Sequence, residues 1–413
     1  MITTGVTGRP WRASITPWGG LRPWDATPSL DWYVAADDRW HVPAEETSVR
    51  QQRVEGTAVT ETRVRVPNGD VVQRVFSVAD DGGLTMVEIE NESTLPVAIA
   101  FDHRELSTER PIVDVPIEGI DLPGSAFVAP LGHRARVRVA IPHDGRGSGP
   151  IPSGVPSMMQ VVRGWLTITE RASRLVLPDV ERSATLARTV TSERCEIALG
   201  SVPRAGDDPA GFALALGELV RMGERPDPWM PELVDAVEAL GPVSAWDADV
   251  ALAAAARVLA TADERRAARD LDRILAGRSV TPPPADPPGG VRAIAWAEGR
   301  LAFGPALLPG GVPMAWLGQS LDVYSVPTGP RSAVSFAIRW HGERPAILWE
   351  QSGDPVRLTA PIAAPGWSTG EVSGEALWPP PAIDGSASAP SDVAPSDVVP
   401  SDVVPSEEPG SFS

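Results

Sequence analysis

Along the first 150 residues, apolar and polar positions alternate in short runs that turn residues interrupt. Thr57–Val66 meets Val71–Ala79 across Pro67-Asn68-Gly69-Asp70, and Asn-Gly between two such runs is a strong hairpin signal. In the first run Thr60, Thr62, Val64 and Val66 share one face. Glu61, Arg63 and Arg65 share the other, which is expected to be solvated. Val59 breaks that polar face, so a bulge or twist is expected near it. Leu84–Asn91 and Leu95–His103 read as a second hairpin around Glu92-Ser93-Thr94. Arg134–Pro142 alternates cleanly, with Val137 and Val139 opposite Arg136 and Arg138. Strands at this spacing, with no helical pattern between them, predict an antiparallel β-sandwich.

The period then changes. Met158, Val162, Trp165, Leu166 and Thr169 are spaced as one helix face, and a short apolar run follows at Leu175–Leu177. Between Asp179 and Gly277 five helices are predicted, several closed by Gly200, Gly223, Gly241 and Gly277. Asp227-Pro228 reads as an N-cap followed by a first-turn proline. Val280–Gly290 is too rich in proline for helix or sheet and reads as a linker. Strands resume at Ser320–Pro327, Ala333–His341 and Pro345–Gln351, with a turn at His341-Gly342-Glu343-Arg344. The end of the chain repeats Ser-Asp-Val-(Ala/Val)-Pro three times between Ser391 and Pro405. It holds too few apolar groups to offset the entropy of ordering, so disorder with polyproline character is expected. The expected class is α+β. A sandwich with a linker helix spans 1–178, a helical region 179–277 and a linker 278–290. An antiparallel β segment covers 291–378, and a tail 379–413.

Composition removes several functions. The net charge of −18 opposes binding to nucleic acid or to an anionic membrane surface. No apolar run reaches the length of a membrane span. The first 30 residues show no apolar signal core, so cytoplasmic residence is the expectation. All 36 basic residues are arginine, which excludes Schiff-base chemistry and a phosphate-loop lysine. The lone Cys195 permits no intrachain disulfide and no four-cysteine zinc site, and beside Glu193 and Glu196 it is expected to be an inert thiol. His41, His103, His133, His143 and His341 show no metal-ligand spacing, and no motif calls for a cofactor.

Tryptophan is the compositional outlier, with 14 against two tyrosines. Trp11, Trp18, Trp24, Trp32 and Trp40 cluster near the start. Exposed indoles would form a stacking platform for sugar, whereas the plainer reading places them in the sandwich core. Asp37-Asp38 and Glu45-Glu46 lie among them. Glycosidases need two carboxyls about 5–9 Å apart, usually from separate loops, so a solvated turn with Arg39 as counter-ion is preferred here.

The order of sandwich, linker helix and paired helices resembles the six-hairpin glycosidases, the glucoamylase, trehalase and glycogen-debranching type. Pieces carrying the resemblance are Trp32–Pro43, Gly164–Asp179 and Ser335–Glu350. The resemblance implies a barrel of twelve helices with an acid and a base on its loops. About 100 residues of helical pattern hold only five or six helices, and no acid or base motif carries over. The expectation is a non-catalytic or degenerate glycosidase-like protein that binds oligosaccharide or a protein partner. A carbohydrate hydrolase with converging carboxylates is the first alternative. A scaffold docking a partner through the tail is the second. Sugar contact is expected at Trp32, Asp38 and Trp40, then at Trp340 and Glu350.

Overall fold

The structure is a computed structural model in which residues 1–112, 116–145, 149–180, 183–279 and 281–381 are described. The expected disorder of the tail falls almost wholly on 382–413, outside these residues. The class is α+β, with antiparallel sheets in the first 142 residues and seven helices among the described residues.

A six-stranded sheet runs in the order 107–108, 136–142, 84–91, 69–78, 60–66, 50–53. A four-stranded sheet orders 127–131, 97–101, 32–35 and 40–41. Their inner faces share one core, with Val64, Val75 and Ile89 from the first sheet against Val34, Ile99 and Phe101 from the second. The first hairpin pairs Val66 with Gly69, so the turn is only Pro67-Asn68. Asn68, at φ 63°, takes the left-handed conformation, and Gly69 does not. Gly69 is needed for space, since a Cβ there would lie 2.4 Å from Ser93 Cα.

The second expected hairpin does not form. Leu84–Asn91 pairs within the six-stranded sheet, whereas Val97–Phe101 pairs with Trp32–Ala35 and Phe127–Leu131 in the other. The chain crosses between layers at residues 92–96 around the Asn91 side chain. Asn91 Nδ2 lies 2.8–3.3 Å from the carbonyls of Leu95, Leu131 and Gly132, and Oδ1 accepts from the Ser93 amide and hydroxyl. An alternation pattern marks both strands but cannot say whether they share a sheet.

The outer face of the six-stranded sheet is divided. At one end Val59, Phe76 and Met86 lie under helix α1 (Met158–Thr169), against Val162 and Met158. Val59 is therefore covered by the helix, which explains its place on a polar face. At the other end Glu61 accepts from Arg63 Nε at 2.9 Å and Arg74 Nε at 3.0 Å. The arginines lie over this carboxylate and leave it nearly buried, against the expectation of a solvated side chain.

Helices α2 (Ser183–Ala198), α3 (Pro209–Met222), α4 (Met230–Leu240), α5 (Trp246–Thr261), α6 (Arg265–Ala276) and α7 (Arg292–Leu301) bury a common core around Phe212, Leu216, Leu252 and Ile294. α3 and α5 approach closely, and a Cβ on Gly217 would lie 3.0 Å from Ala254 Cβ. α7 opens the segment expected to be all β. Ala293, Ile294, Ala297 and Leu301 give it a buried stripe at helical spacing.

Asp227-Pro228 lies in a 3-10 turn, Asp227–Trp229, without a side-chain cap, and Asp227 instead pairs with Arg225 at 3.4 Å. The capping aspartate is Asp208, whose Oδ1 accepts from Gly211 N at 2.9 Å with Pro209 at the first turn of α3. Arg292 of α7 grips the same carboxylate through both terminal nitrogens, at 2.7 and 2.9 Å, and pulls its pKa down. Asp208→Ala is expected to cost about 2 kcal/mol, the lost cap plus a partly exposed bidentate pair. Asp227→Ala is expected to change stability by less than about 0.5 kcal/mol. Chemical denaturation of both variants checks the assignment, and equal losses would reject it.

The late β segment is a meander, 321–329, 332–341 and 344–353, flanked by Arg174–Val176 and Ser373–Leu377. Its turn joins His341 to Arg344 as the sequence predicts. Phe336, Ile338, Ile347 and Trp349 point into a third core with Trp378.

Candidate functional site

The five residues expected to touch sugar do not form one site. Trp32 is 1% exposed inside the sandwich and donates Nε1 to the Trp18 carbonyl at 2.9 Å. Trp40 lies half-buried on an edge strand, with Nε1 donating to the Glu118 carbonyl at 2.8 Å. Asp38 is exposed beside it, but Oδ1 sits 3.0 Å from His41 Nε2, and this hydrogen bond holds the carboxyl below its ordinary pKa. The other ring nitrogen of His41 faces Glu46 Oε1 at 3.0 Å, and Arg39 reaches the same oxygen at 2.7 Å. These carboxylates are spent on clamping a buried histidine. Trp340 donates Nε1 to the Gln319 carbonyl at 2.7 Å. It shares the inner face of its sheet with Phe336 and Ile338, whereas exposed Glu350 pairs with Ser335 on the opposite face.

Other clusters offer little chemistry. Ser77 Oγ bonds Thr4 Oγ1 at 2.9 Å and Thr85 Oγ1 at 2.8 Å, and only Thr85 reaches His143 Nε2, at 2.9 Å. No histidine is placed to deprotonate Ser77. Burial, then the nearby Arg12 charge, lower His143 to about 4, and it stacks on Trp11. Burial pushes the Cys195 thiol up to about 12, so it stays protonated. Among the described residues, no three histidine, cysteine or carboxylate side chains converge as a metal site. No helix there is long and apolar enough to cross a membrane.

The site with a built cavity lies elsewhere, in a cleft of about 500 Å³ between α7, the start of α5, and the loop that follows Phe303. Its construction begins in the linker. Pro282 and Pro283 line the cleft, and the Pro284 carbonyl accepts from Trp296 Nε1 at 2.9 Å. Trp246, at the first turn of α5, and Trp316 complete the aromatic wall. The Trp316 indole is fixed by donating to Ser183 Oγ at 2.7 Å. Pro309 and Pro313 form the opposite side, with Gly311 at φ 81° turning the chain beneath Ile362. Among the described residues, Arg300 is the only charged side chain lining the cleft. It lies one turn after Trp296 and holds its guanidinium 4.9 Å from that ring centroid, in cation–π contact. Phe303, Met314 and Ile362 stay exposed around this part of the surface.

A larger cleft of about 840 Å³ separates α5 and α6 from the hairpin ends at Gly329 and Asp354; aliphatic and proline side chains line it with Arg265, Arg269, Arg331, Asp272 and Asp354, and no aromatic side chain is among them. Sequence reasoning missed the aromatic cleft because it treated the proline run as a spacer. The available signal was Trp296 twelve residues beyond Pro284, with Arg300 one helical turn further. Neither a known protein-family model nor a curated protein matches this sequence.

Proposed function

We propose that the protein is a non-catalytic, glycosidase-like scaffold that binds proline-containing extended segments of a protein partner in the cleft of Trp246, Trp296 and Phe303. The carrying observation is the contact the fold already makes there: Trp296 donates its indole N–H to the carbonyl of Pro284 while neighbouring prolines line the cleft. Aromatic grooves take polyproline segments in this way, because such segments bring their shape preformed and lose little entropy on binding. The walls favour this over oligosaccharide. Among the described residues, Thr281 and Arg300 are the only lining side chains offering classical hydrogen-bond donors besides the indoles, which is too few for a ring of hydroxyls. Among the described residues no aspartate or glutamate lines the cleft, so a sugar bound there would meet neither acid nor base from them.

A fluorescein-labelled proline-rich peptide, titrated against the full chain by anisotropy, is expected to bind. Phe303→Ala, at a side chain 36% exposed, should weaken binding about tenfold without lowering the melting midpoint. Binding unaffected by this variant would reject the cleft. Trehalose and α-glucans assayed for reducing ends form the second arm. Sugar release that disappears in Asp38→Asn would replace the proposal with the hydrolase.

A further inference from the structure

We infer that the chain's own C-terminal repeats occupy this cleft, so that the tail is a built-in competitor for the partner segment. This rests on the reading of the cleft as a proline-segment site. Each repeat carries the chemistry the cleft lacks and accepts. Val398, Val399 and Pro400 are three consecutive apolar residues, as are Val403, Val404 and Pro405, and they suit walls made of indole, phenyl and pyrrolidine. An aspartate precedes each triplet, at Asp397 and Asp402. The cleft offers one charge to meet it, Arg300, which is exposed and has no carboxylate partner among the described residues. Beyond Pro381 the chain holds six acids and no base, so its charge is opposite to that of Arg300.

Reach does not limit the contact. Val398 and Val403 lie 17 and 22 residues beyond Pro381, which is about 53 and 68 Å of chain at about 3.1 Å per residue, against the roughly 50 Å diameter of a folded chain of this length. Tethering places the repeats at a local concentration of order millimolar, so even a weak motif competes well. Three copies raise the chance that one is seated.

The test uses the full chain. Cys195 is buried and its thiol protonated, so a bimane dye attached to Ser401→Cys labels the tail alone. Bimane is quenched on contact with indole. Strong quenching is expected, independent of protein concentration, and relieved severalfold by Trp296→Phe and by the exposed-site variant Arg300→Gln. Excess free peptide of residues 391–405 should also restore emission. Emission unchanged by all three treatments would overturn the inference, and quenching that grows with concentration would assign the tail to a second copy instead. A second measurement separates this proposal from the one beneath it. Replacing Pro395, Pro400 and Pro405 with alanine should raise the affinity for the external proline-rich peptide about tenfold. Equal, Phe303-dependent binding to both chains would reject the tail as occupant and leave the cleft as a peptide site. No binding to either chain, with unquenched dye, would remove both.

Discussion

Glu298→Gln is expected to destabilise the chain by about 3–5 kcal/mol, the cost of leaving buried arginines without a counter-charge. Glu298 of α7 is 6% exposed at the junction of α2, α3 and the late sheet. Its Oε1 receives Arg194 Nη2 at 2.7 Å, Arg221 Nη2 at 2.9 Å and Ser173 Oγ at 2.5 Å, and its Oε2 receives Arg221 Nη1 at 2.8 Å. Among the described residues Glu218 supplies the only other carboxylate, to Arg194 at 2.7 Å and Arg221 at 2.5 Å. Glutamine preserves the shape but removes one of the two negative charges, and its amide N–H₂ must then face a guanidinium.

The pH dependence identifies the mechanism. Burial alone would raise the Glu298 pKa, but the charges of Arg221 and Arg194 outweigh it and hold it at about 2. The folded value lies below the ordinary 4.5, so the unfolded chain binds the extra proton between those values. The stability contributed by this carboxylate is complete above about pH 4.5 and is lost as pH falls toward about 2. Urea unfolding at pH 7 and pH 3 should therefore show the gap between wild type and Glu298→Gln narrowing at the lower pH. A gap that stays constant would mean that packing, and not charge, is what the substitution removes.

Much of this fold was legible because local signals and tertiary outcome agreed. The alternation from Thr60 to Val66 survives as a buried face, and the spacing of Val162, Trp165 and Thr169 survives as the buried stripe of α1. The late meander keeps its predicted turn and face. What was not legible depended on contacts distant in sequence. Asp227 and Asp208 are both followed by proline, and only the fold decides that one lies in a surface turn while the other is locked by Arg292. Trp32 and Trp40 sit eight residues apart in similar company, yet one is core and one is rim, because strand pairing sets which face is covered. The aromatic cleft needed α5, α7 and the linker at once, and no local pattern joins Trp246 to Trp296. Even the correct hairpin signal acted for another reason, since Gly69 serves the passing chain at Ser93 and not the turn's own dihedral angles.

That same crossing gives the second large effect. The chain has two asparagines, and each sits at a corner of the sandwich: Asn68 in the hairpin turn and Asn91 where the strand leaves one sheet for the other. Asn91 is fully buried. Asn91→Ala would strip hydrogen bonds from the carbonyls of Leu95, Leu131 and Gly132 and leave the Ser93 amide without its acceptor. Each buried group left unmatched costs about 1–3 kcal/mol, and some of these groups keep a second partner, so a loss of about 3–4 kcal/mol is expected. Ser93 Oγ, for instance, also bonds the Leu95 carbonyl at 2.8 Å. Asn91→Asp should be at least as damaging, because it retains the acceptor for Ser93 but turns a carboxylate toward carbonyl oxygens. Ser93→Ala should cost only about 1 kcal/mol, since the backbone amide of residue 93 keeps its bond to Asn91. Thermal and urea unfolding of the three variants would establish the order. If Asn91→Ala lost less than Ser93→Ala, the corner would be held by the backbone at Gly69 and Ser93, and the asparagine would be a passenger in the turn.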